Sequence, residues 1–203
     1  WDGDYAHVGK SWPSPKTTSA PNPIQQHHPP IWVAARDPNS HEFAVSNGCH
    51  VQVTPLWQGD DEVTSLMERF NGACAKFPEM PRPKIMLLRH TYVGSDEADI
   101  ARGAKEMSVY YNYFFAWFKN EREITQALMS PLSDEDLKNP MVSPEVMRTN
   151  NVVGDAATVI GRLKAYEAMG YDEYSFWIDT GMSFERKKAS LERFIADVMP
   201  AFA

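Results

Sequence analysis

After residue 30 the chain alternates between two kinds of apolar pattern. Short unbroken apolar runs read as strands buried on both faces, and longer stretches with apolar residues three and four apart read as amphipathic helices. The first strand is Ile31-Trp32-Val33-Ala34-Ala35. The helix after it is capped either by Asp37 with Pro38 at its first position, or by Asn39 with Glu42 closing a capping box. It carries Phe43, Ala44 and Val45 and stops at Asn47-Gly48. A second strand, Val51-Gln52-Val53, passes through the loop Thr54-Pro55-Leu56-Trp57 into a helix that begins near Asp60. Val63, Leu66, Met67, Phe70, Cys74 and Phe77 form that helix's apolar stripe, and Pro78, Pro81 and Pro83 end it. The strongest strand is Ile85–Val93. Ser95 is its helix's expected cap, and Ile100, Ala104, Met107, Tyr111, Phe114 and Phe118 are the apolar side.

Residues 119–151 break this rhythm. They read as an insertion with short helices at 121–129 and 133–138, longer than an ordinary connection. The alternation then resumes. Asp155 caps a helix with Ile160, Leu163, Tyr166 and Met169 facing inward, and Gly170 ends it. A strand Tyr174–Ile178 follows, and Ser183 caps a last helix bearing Leu191, Phe194, Ile195 and Val198. Residues 1–30, broken by Gly and Pro, read as an irregular arm, with Tyr5, Trp12 and Ile24 as the residues that pin it down.

Strands separated by helices imply an α/β fold with a parallel sheet and right-handed crossovers. Neither a dinucleotide-binding glycine fingerprint nor a Walker loop is present, so an open doubly wound sheet and a barrel segment both satisfy the pattern. Four such units are half of an eight-fold barrel. Because the chain opens Trp1-Asp2-Gly3 rather than with Met, the expectation is either a fragment or a deliberately small relative of a larger protein.

The 203 residues carry a net charge of -7, which argues against a nucleic-acid or anionic-membrane surface. No apolar run approaches the ~18 residues that a membrane span needs. Cys49 and Cys74 are too few for a disulfide framework and read as reduced, which places the protein in the cytoplasm.

Several segments resemble one family. Pro21-Asn22-Pro23-Ile24-Gln25-Gln26-His27-His28-Pro29-Pro30-Ile31-Trp32-Val33-Ala34-Ala35 resembles the P-x-P-x-Q-x-P-H-P-P-I-W-V-A-A stretch of the bacterial luciferase-like flavin-dependent monooxygenases. Val153-Gly154-Asp155, Val159-Ile160-Gly161-Arg162-Leu163 and Ala168–Glu173 are similar to a later segment of that family, and Gly181-Met182 through Met199-Pro200 to its C-terminus. The resemblance implies a parallel (β/α)8 TIM-type barrel of which this chain covers the last four βα units, with residues 31–203 as that half. It also implies FMN, or in some branches F420, at the C-terminal strand ends. The implied reaction uses reduced flavin and O2 to oxidise a small organic substrate such as an aldehyde or sulfonate.

Candidate residues follow from position. The turn after the first strand, Ala35-Arg36-Asp37-Pro38-Asn39-Ser40, opens a helix whose free N–H groups suit a flavin phosphate, with Arg36 supplying charge and Asn39 and Ser40 hydrogen bonds. Plain capping is the alternative, and Asp37 repels phosphate unless it is turned away as a cap. The resemblance places Thr54 near the flavin ring, against the alternative of a strand-end Thr with no ligand. Alternation sends Arg89 and His90 to opposite faces, so that one points into the barrel. Arg89 is either a substrate contact or a paired structural cation, and His90 is a weak candidate for a general base. Asp179 at a strand end is either catalytic or a helix-cap partner. The aromatic run at 110–118, with Tyr111 and Phe115, lines a substrate pocket, a subunit interface or ordinary packing. Adjacent His27 and His28 point apart and no ligand set completes them, so no metal is expected.

Two classes of function emerge. One is a luciferase-like monooxygenase supplied by a flavin reductase, with an F420-dependent oxidoreductase as its variant. The other is a non-catalytic half-barrel that binds flavin or pairs with a second polypeptide. Either way, open strand edges predict a homo-oligomer or pairing with an N-terminal half.

Overall fold

The computed structural model describes residues 3–26 and 28–203. Trp1, Asp2 and His27, the last of them half of the adjacent histidine pair, lie outside the described residues. The N-terminal arm is more ordered than its composition suggests. β1 (Tyr5–His7) and β2 (Ser14–Thr17) pair antiparallel, and Asp4 ties the hairpin to Lys16 at 2.8 Å and to Thr18 at 2.6 Å. Tyr5, Trp12 and Ile24, expected to pin the arm, instead point into solvent.

The main sheet grows from β3 (Trp32–Ala34), α1 (Pro38–Ser46), β4 (His50–Val53), α2 (Asp60–Lys76), β5 (Ile85–Val93) and α3 (Glu97–Lys119). The 119–151 insertion follows. It holds a hairpin of β6 (Ile124–Thr125) and β7 (Leu128–Met129), two 3-10 turns at Asp136–Lys138 and Pro140–Val142, and α4 (Pro144–Asn150). β8 (Val152–Gly154), α5 (Ala156–Met169), β9 (Glu173–Trp177) and α6 (Phe184–Arg193) complete the chain, with a π-helical turn at Phe194–Val198 and a final 3-10 turn at Met199–Phe202. The expected helix at 121–129 is therefore a hairpin. Gln126 and Ala127 both take left-handed φ, 51° and 62°, which reverses the chain within two residues.

The five strands of the sheet are parallel, with β3, β4, β5 and β9 side by side and the short β8 on the far end of β5. This is the order of consecutive barrel strands. Val51, Val53, Ile85 and Leu87 face Val45, Val63, Leu66, Phe70, Val159 and Leu163 from α1, α2 and α5 in the larger core. A second core forms around α3, where Ile100, Ala104, Met107 and Tyr111 meet Tyr92, Met147 and Val153. The alternate residues, Trp32, Ala34, Gln52, Thr54, Met86, Leu88, Ser175 and Trp177, are only partly buried or exposed. The expectation that Ile31–Ala35 is buried on both faces thus fails. β3 is the sheet's edge in this chain, so none of its three residues is fully buried, and in the expected run only Ala35, just past its end, is.

Local chemistry fixes the helix ends. Asp37 caps α1 and accepts from the amides of Asn39 (3.0 Å) and Ser40 (3.1 Å). Asp96, not Ser95, caps α3, because its carboxylate reaches the Asp99 amide at 2.9 Å while the Ser95 hydroxyl turns to Asp96. Asp155 caps α5, and Gly170 closes it with φ 105°. Met169, Leu191 and Ile195, expected inside, sit at the surface, whereas Val198 on the π-helical turn is buried.

Two polar devices set the register of β5. Asp172 accepts from the Ile85 amide at 2.8 Å and from Arg82 at 2.9 Å, which starts β9 alongside β5. At the other end the Val93 amide donates to Ser190 and its carbonyl accepts from Arg193, at 2.8 and 2.9 Å. Arg186 completes the α6 anchor with Asp99 (2.5 Å) and Glu106 (3.0 Å) while lying over the Tyr92 ring.

Gly103 in α3 lies against that same ring, and a Cβ there would fall 2.5 Å from Tyr92 Cδ1. An exposed helical Gly→Ala change gains about 1 kcal/mol from propensity. Here overpacking of roughly 1–3 kcal/mol opposes it. Gly103→Ala should therefore lower the urea midpoint; a raised midpoint would show that Tyr92 moves aside freely.

Candidate functional site

In a parallel sheet of this kind, ligands sit at the C-terminal strand ends. Those ends are the Ala35–Ser40 turn after β3, the Thr54–Gly59 loop after β4, the His90 end of β5, and Ile178-Asp179 after β9. On the uncovered face below them, Gln52, Thr54, Met86, Leu88, Ser175 and Trp177 carry no charge, and Glu173 at the far end of β9 is paired with Lys84 at 2.8 Å.

The Ala35–Ser40 turn is internally satisfied. The Ala35 side chain is buried toward the helices, and its amide donates to the Gln52 carbonyl at 3.0 Å. The amides of Asn39 and Ser40 and the Ser40 hydroxyl all point at Asp37, whose carboxyl is held below its ordinary range mainly by the Ser40 hydroxyl. Arg36 is exposed. Its guanidinium donates to the Gln58 side chain and lies 3.7 Å from Glu62.

The Thr54–Gly59 loop is strained and clamped. Leu56 takes φ 56°, a left-handed conformation that costs a non-glycine residue roughly 1–2 kcal/mol. Thr54 Oγ1 accepts from the Leu56 amide at 3.2 Å. The Trp57 carbonyl accepts from Asn150 at 3.0 Å, and the Gln58 carbonyl from Arg89 at 3.2 Å. A hydrogen bond from a charged donor is worth roughly 1.5–3 kcal/mol, so these contacts outweigh the strain.

β5 divides its two polar residues as alternation requires. Arg89 lies on the helix-facing side with Leu87, buried, its guanidinium 6.0 Å from the Tyr166 ring centroid. It reaches Gln58, and it does not join the aromatic group around His90. His90 stacks on Trp177 at 3.8 Å and meets the edges of Tyr110 and Tyr111 at 5.4 and 5.2 Å. Both His90 ring nitrogens and the Tyr111 hydroxyl lack a hydrogen-bond partner among the described residues. Burial above all, with the Arg89 charge adding and Asp179 opposing, pushes His90 down to about 3. The imidazole is therefore neutral near neutral pH and is a weak proton acceptor. Burial likewise raises Tyr111 above the ordinary phenol range.

Trp57 extends the aromatic group, with Phe115 at 4.5 Å and Tyr111 at 6.3 Å. Phe115 also lines a cavity of about 520 Å³ under the insertion, along with Asn112, Arg122 and Asp136. The strand end brings His90, Tyr111 and Phe115 into one aromatic group and leaves Asp179 at its margin. Asp179 is exposed and ion-paired with Lys187, which lowers its carboxyl, and Ser183 takes the helix-cap position instead. Trp57, Gln58, Asn150 and Trp177 went unassigned from sequence, whereas Tyr110 opens the aromatic run already singled out. Pro55 hints at the loop, but no residue signals the left-handed Leu56, and Trp177 reaches His90 only through the β5–β9 register. No three His, Cys, Asp or Glu side chains converge as a metal set among the described residues, and no helix there is long and apolar enough to cross a membrane.

A parallel half-turn of βα units with its strand-end loops clamped together defines a barrel-type protein. The sequence pattern of the luciferase-like monooxygenases matches residues 1–173, and the chain belongs to that family. The oxygenase component of a flavin-dependent trigonelline monooxygenase from Acinetobacter baylyi (strain ATCC 33305 / BD413 / ADP1) is 70% identical over 204 residues, covering 100% of this chain and 57% of the relative. Monooxygenase RslO1 from Streptomyces bottropensis superimposes with a TM-score of 0.72 at 18% identity, over 100% of this chain and 57% of its own. The coenzyme F420-dependent tetrahydromethanopterin reductase of Methanopyrus kandleri gives 0.69 at 15% identity, over 98% and 58%. The fold is accordingly the parallel α/β type of these barrels, and the chain spans a little over half the length of the relatives it matches.

The fold holds His90 at about 3 against an ordinary 6.5. A group with a depressed folded pKa stabilises fully above its unfolded value and loses that contribution as pH falls toward the folded one. The window is therefore pH 6.5 down to about 3. His90→Leu should narrow or reverse the wild type's stability advantage between about pH 7 and about pH 4.5, read from urea midpoints. An advantage that stays constant would show that His90 is not buried neutral.

Proposed function

We propose that this chain is the C-terminal half of a (β/α)8 flavin-dependent monooxygenase, with residues 31–203 as the half-barrel. The observation that carries the reading is the 70% identity along the entire chain to an oxygenase component. The site residues fit such a cofactor. The uncharged strand-end face suits a flat ring system, the orphaned His90 nitrogens can serve ring heteroatoms, and Arg36 is the rim cation available to a phosphate. Asp37 already occupies the first-turn donors of α1, so Arg36 would bear most of the phosphate contact, with Ser40 and Asn39 available once Asp37 turns aside.

Bound at these strand ends, reduced FMN would supply the two electrons that let one atom of O2 enter the substrate while the other leaves as water. The chain's own residues bind, orient and keep water out. Thr54 and the clamped 54–59 loop position the ring, and Trp57, Phe115, Tyr110, Tyr111 and Trp177 form a dry wall for a small organic molecule. The 70% identical relative is named for trigonelline, which makes that compound the first substrate to try against this wall. No acid–base pair is needed from these residues, in keeping with a neutral His90. An oxygenase component works with a separate flavin reductase, which is the partner proposed here. The F420 alternative rests on fold likeness alone and ranks second.

The test uses the full-length protein. It should bind reduced FMN anaerobically and, on admission of O2 with trigonelline, yield a product carrying one 18O atom from 18O2. Binding of reduced F420 with no binding of FMN would overturn the flavin reading. Arg36→Met should weaken FMN about tenfold while leaving riboflavin nearly unchanged. An equal loss for both ligands would remove the phosphate from Arg36.

A further inference from the structure

Arg89 is 1% exposed, yet its guanidinium makes a single hydrogen bond among the described residues, to the Gln58 carbonyl. Its Nε and Nη2 meet no acceptor there. A buried cation is costly unless it is paired and hydrogen-bonded, and lying beside the Tyr166 ring is something Leu or Met could also do. What depends on it is the loop. Gln58 receives Arg89 on its backbone carbonyl and Arg36 on its side-chain oxygen, so one residue joins the middle of the sheet to the turn after β3. Asn150 holds the neighbouring Trp57 carbonyl from α4 at 3.0 Å. Between these contacts sits Leu56 with its left-handed φ of 56°, a conformation that the loop would relax if released.

We propose that Arg89 is a positioning residue. Through Gln58 it couples the Thr54–Gly59 loop to the Arg36–Ser40 turn, so that the two strand ends hold their places as one unit. The coupling stands on the hydrogen bonds themselves; its consequence for cofactor binding rests on the flavin reading above.

Amide hydrogen exchange of the full-length protein tests the coupling without turnover. The reporters are the amides of Leu56 and Gln58, bonded to Thr54 and Pro55, and those of Asn39 and Ser40, bonded to Asp37. Arg89→Met should speed exchange at all four by about tenfold or more, with the α2 amides unchanged. Arg89→Lys should restore part of the protection. Gln58→Ala leaves the carbonyl to Arg89 but removes the acceptor of Arg36, so it should loosen Asn39 and Ser40 and spare Leu56. Should Arg89→Met unfold the protein, seen as fast exchange throughout the sheet, the other two variants decide. Unchanged exchange at Asn39 and Ser40 in Gln58→Ala, or wild-type exchange at Leu56 in Arg89→Met, overturns the proposal. FMN titration of the same variants separates the two ideas. Loosened loops with a weaker FMN Kd support both; loosened loops with an unaltered Kd support the coupling and count against flavin at these strand ends.

Discussion

β5 is bonded along both edges and at its tip. β4 pairs with Ile85–Leu87, β9 with Met86–His90, β8 with Thr91–Val93, and side chains of α6 take the Val93 amide and carbonyl. A buried strand must satisfy every backbone polar group, and a strand this long can do so only by recruiting elements far apart in sequence. The insertion, the last helix and the final strand are all positioned through this one strand. Its sequence supports that role. Ile85 and Leu87 bury completely against the helices, and the polar residues fall at the end where the loops gather.

The chemistry of the strand ends follows from that placement. A neutral imidazole faces an aromatic wall on one side, and a cation braces a loop from the other. Both are buried, and neither is arranged for proton transfer. Under the function proposed above, such a site would hold the cofactor in a dry setting, with the chain contributing shape and exclusion of water. One face of the sheet is bare in this chain, which spans a little over half the length of the relatives it matches.

Much of this was legible from residue patterns. Ile85–Val93 stood out as the strongest strand, and Asp37, Asp155 and Gly170 mark their helix ends because capping is local chemistry. The parts that were not legible depend on neighbours or on unusual backbone. An apolar run reports burial without saying what lies against it, which is why Ile31–Ala35 read as buried on both faces. Gln126, Ala127 and Leu56 adopt left-handed backbone without the Gly or Asn that would announce it. Alternation separated Arg89 from His90 but gave no sign of which faced the helices. Arg36, Asn39, Ser40 and Thr54 were placed at strand ends correctly, whereas the bonds that occupy them, to Gln58, Asp37 and Leu56, appear only in three dimensions.

The Asp172 carboxylate, gripping the first amide of β5, has a consequence beyond tying two strands together. Side chains along a strand alternate with a period of two, so register is also an assignment of chemistry to compartments. A slip of one residue would carry the Arg89 charge into the aromatic wall and leave the neutral imidazole beneath the loop, with the same composition and nearly the same sheet. Asp172 grips the first residue of the strand and touches neither Arg89 nor His90 in the strand's middle, yet it works as a proofreader of which reagent faces which room.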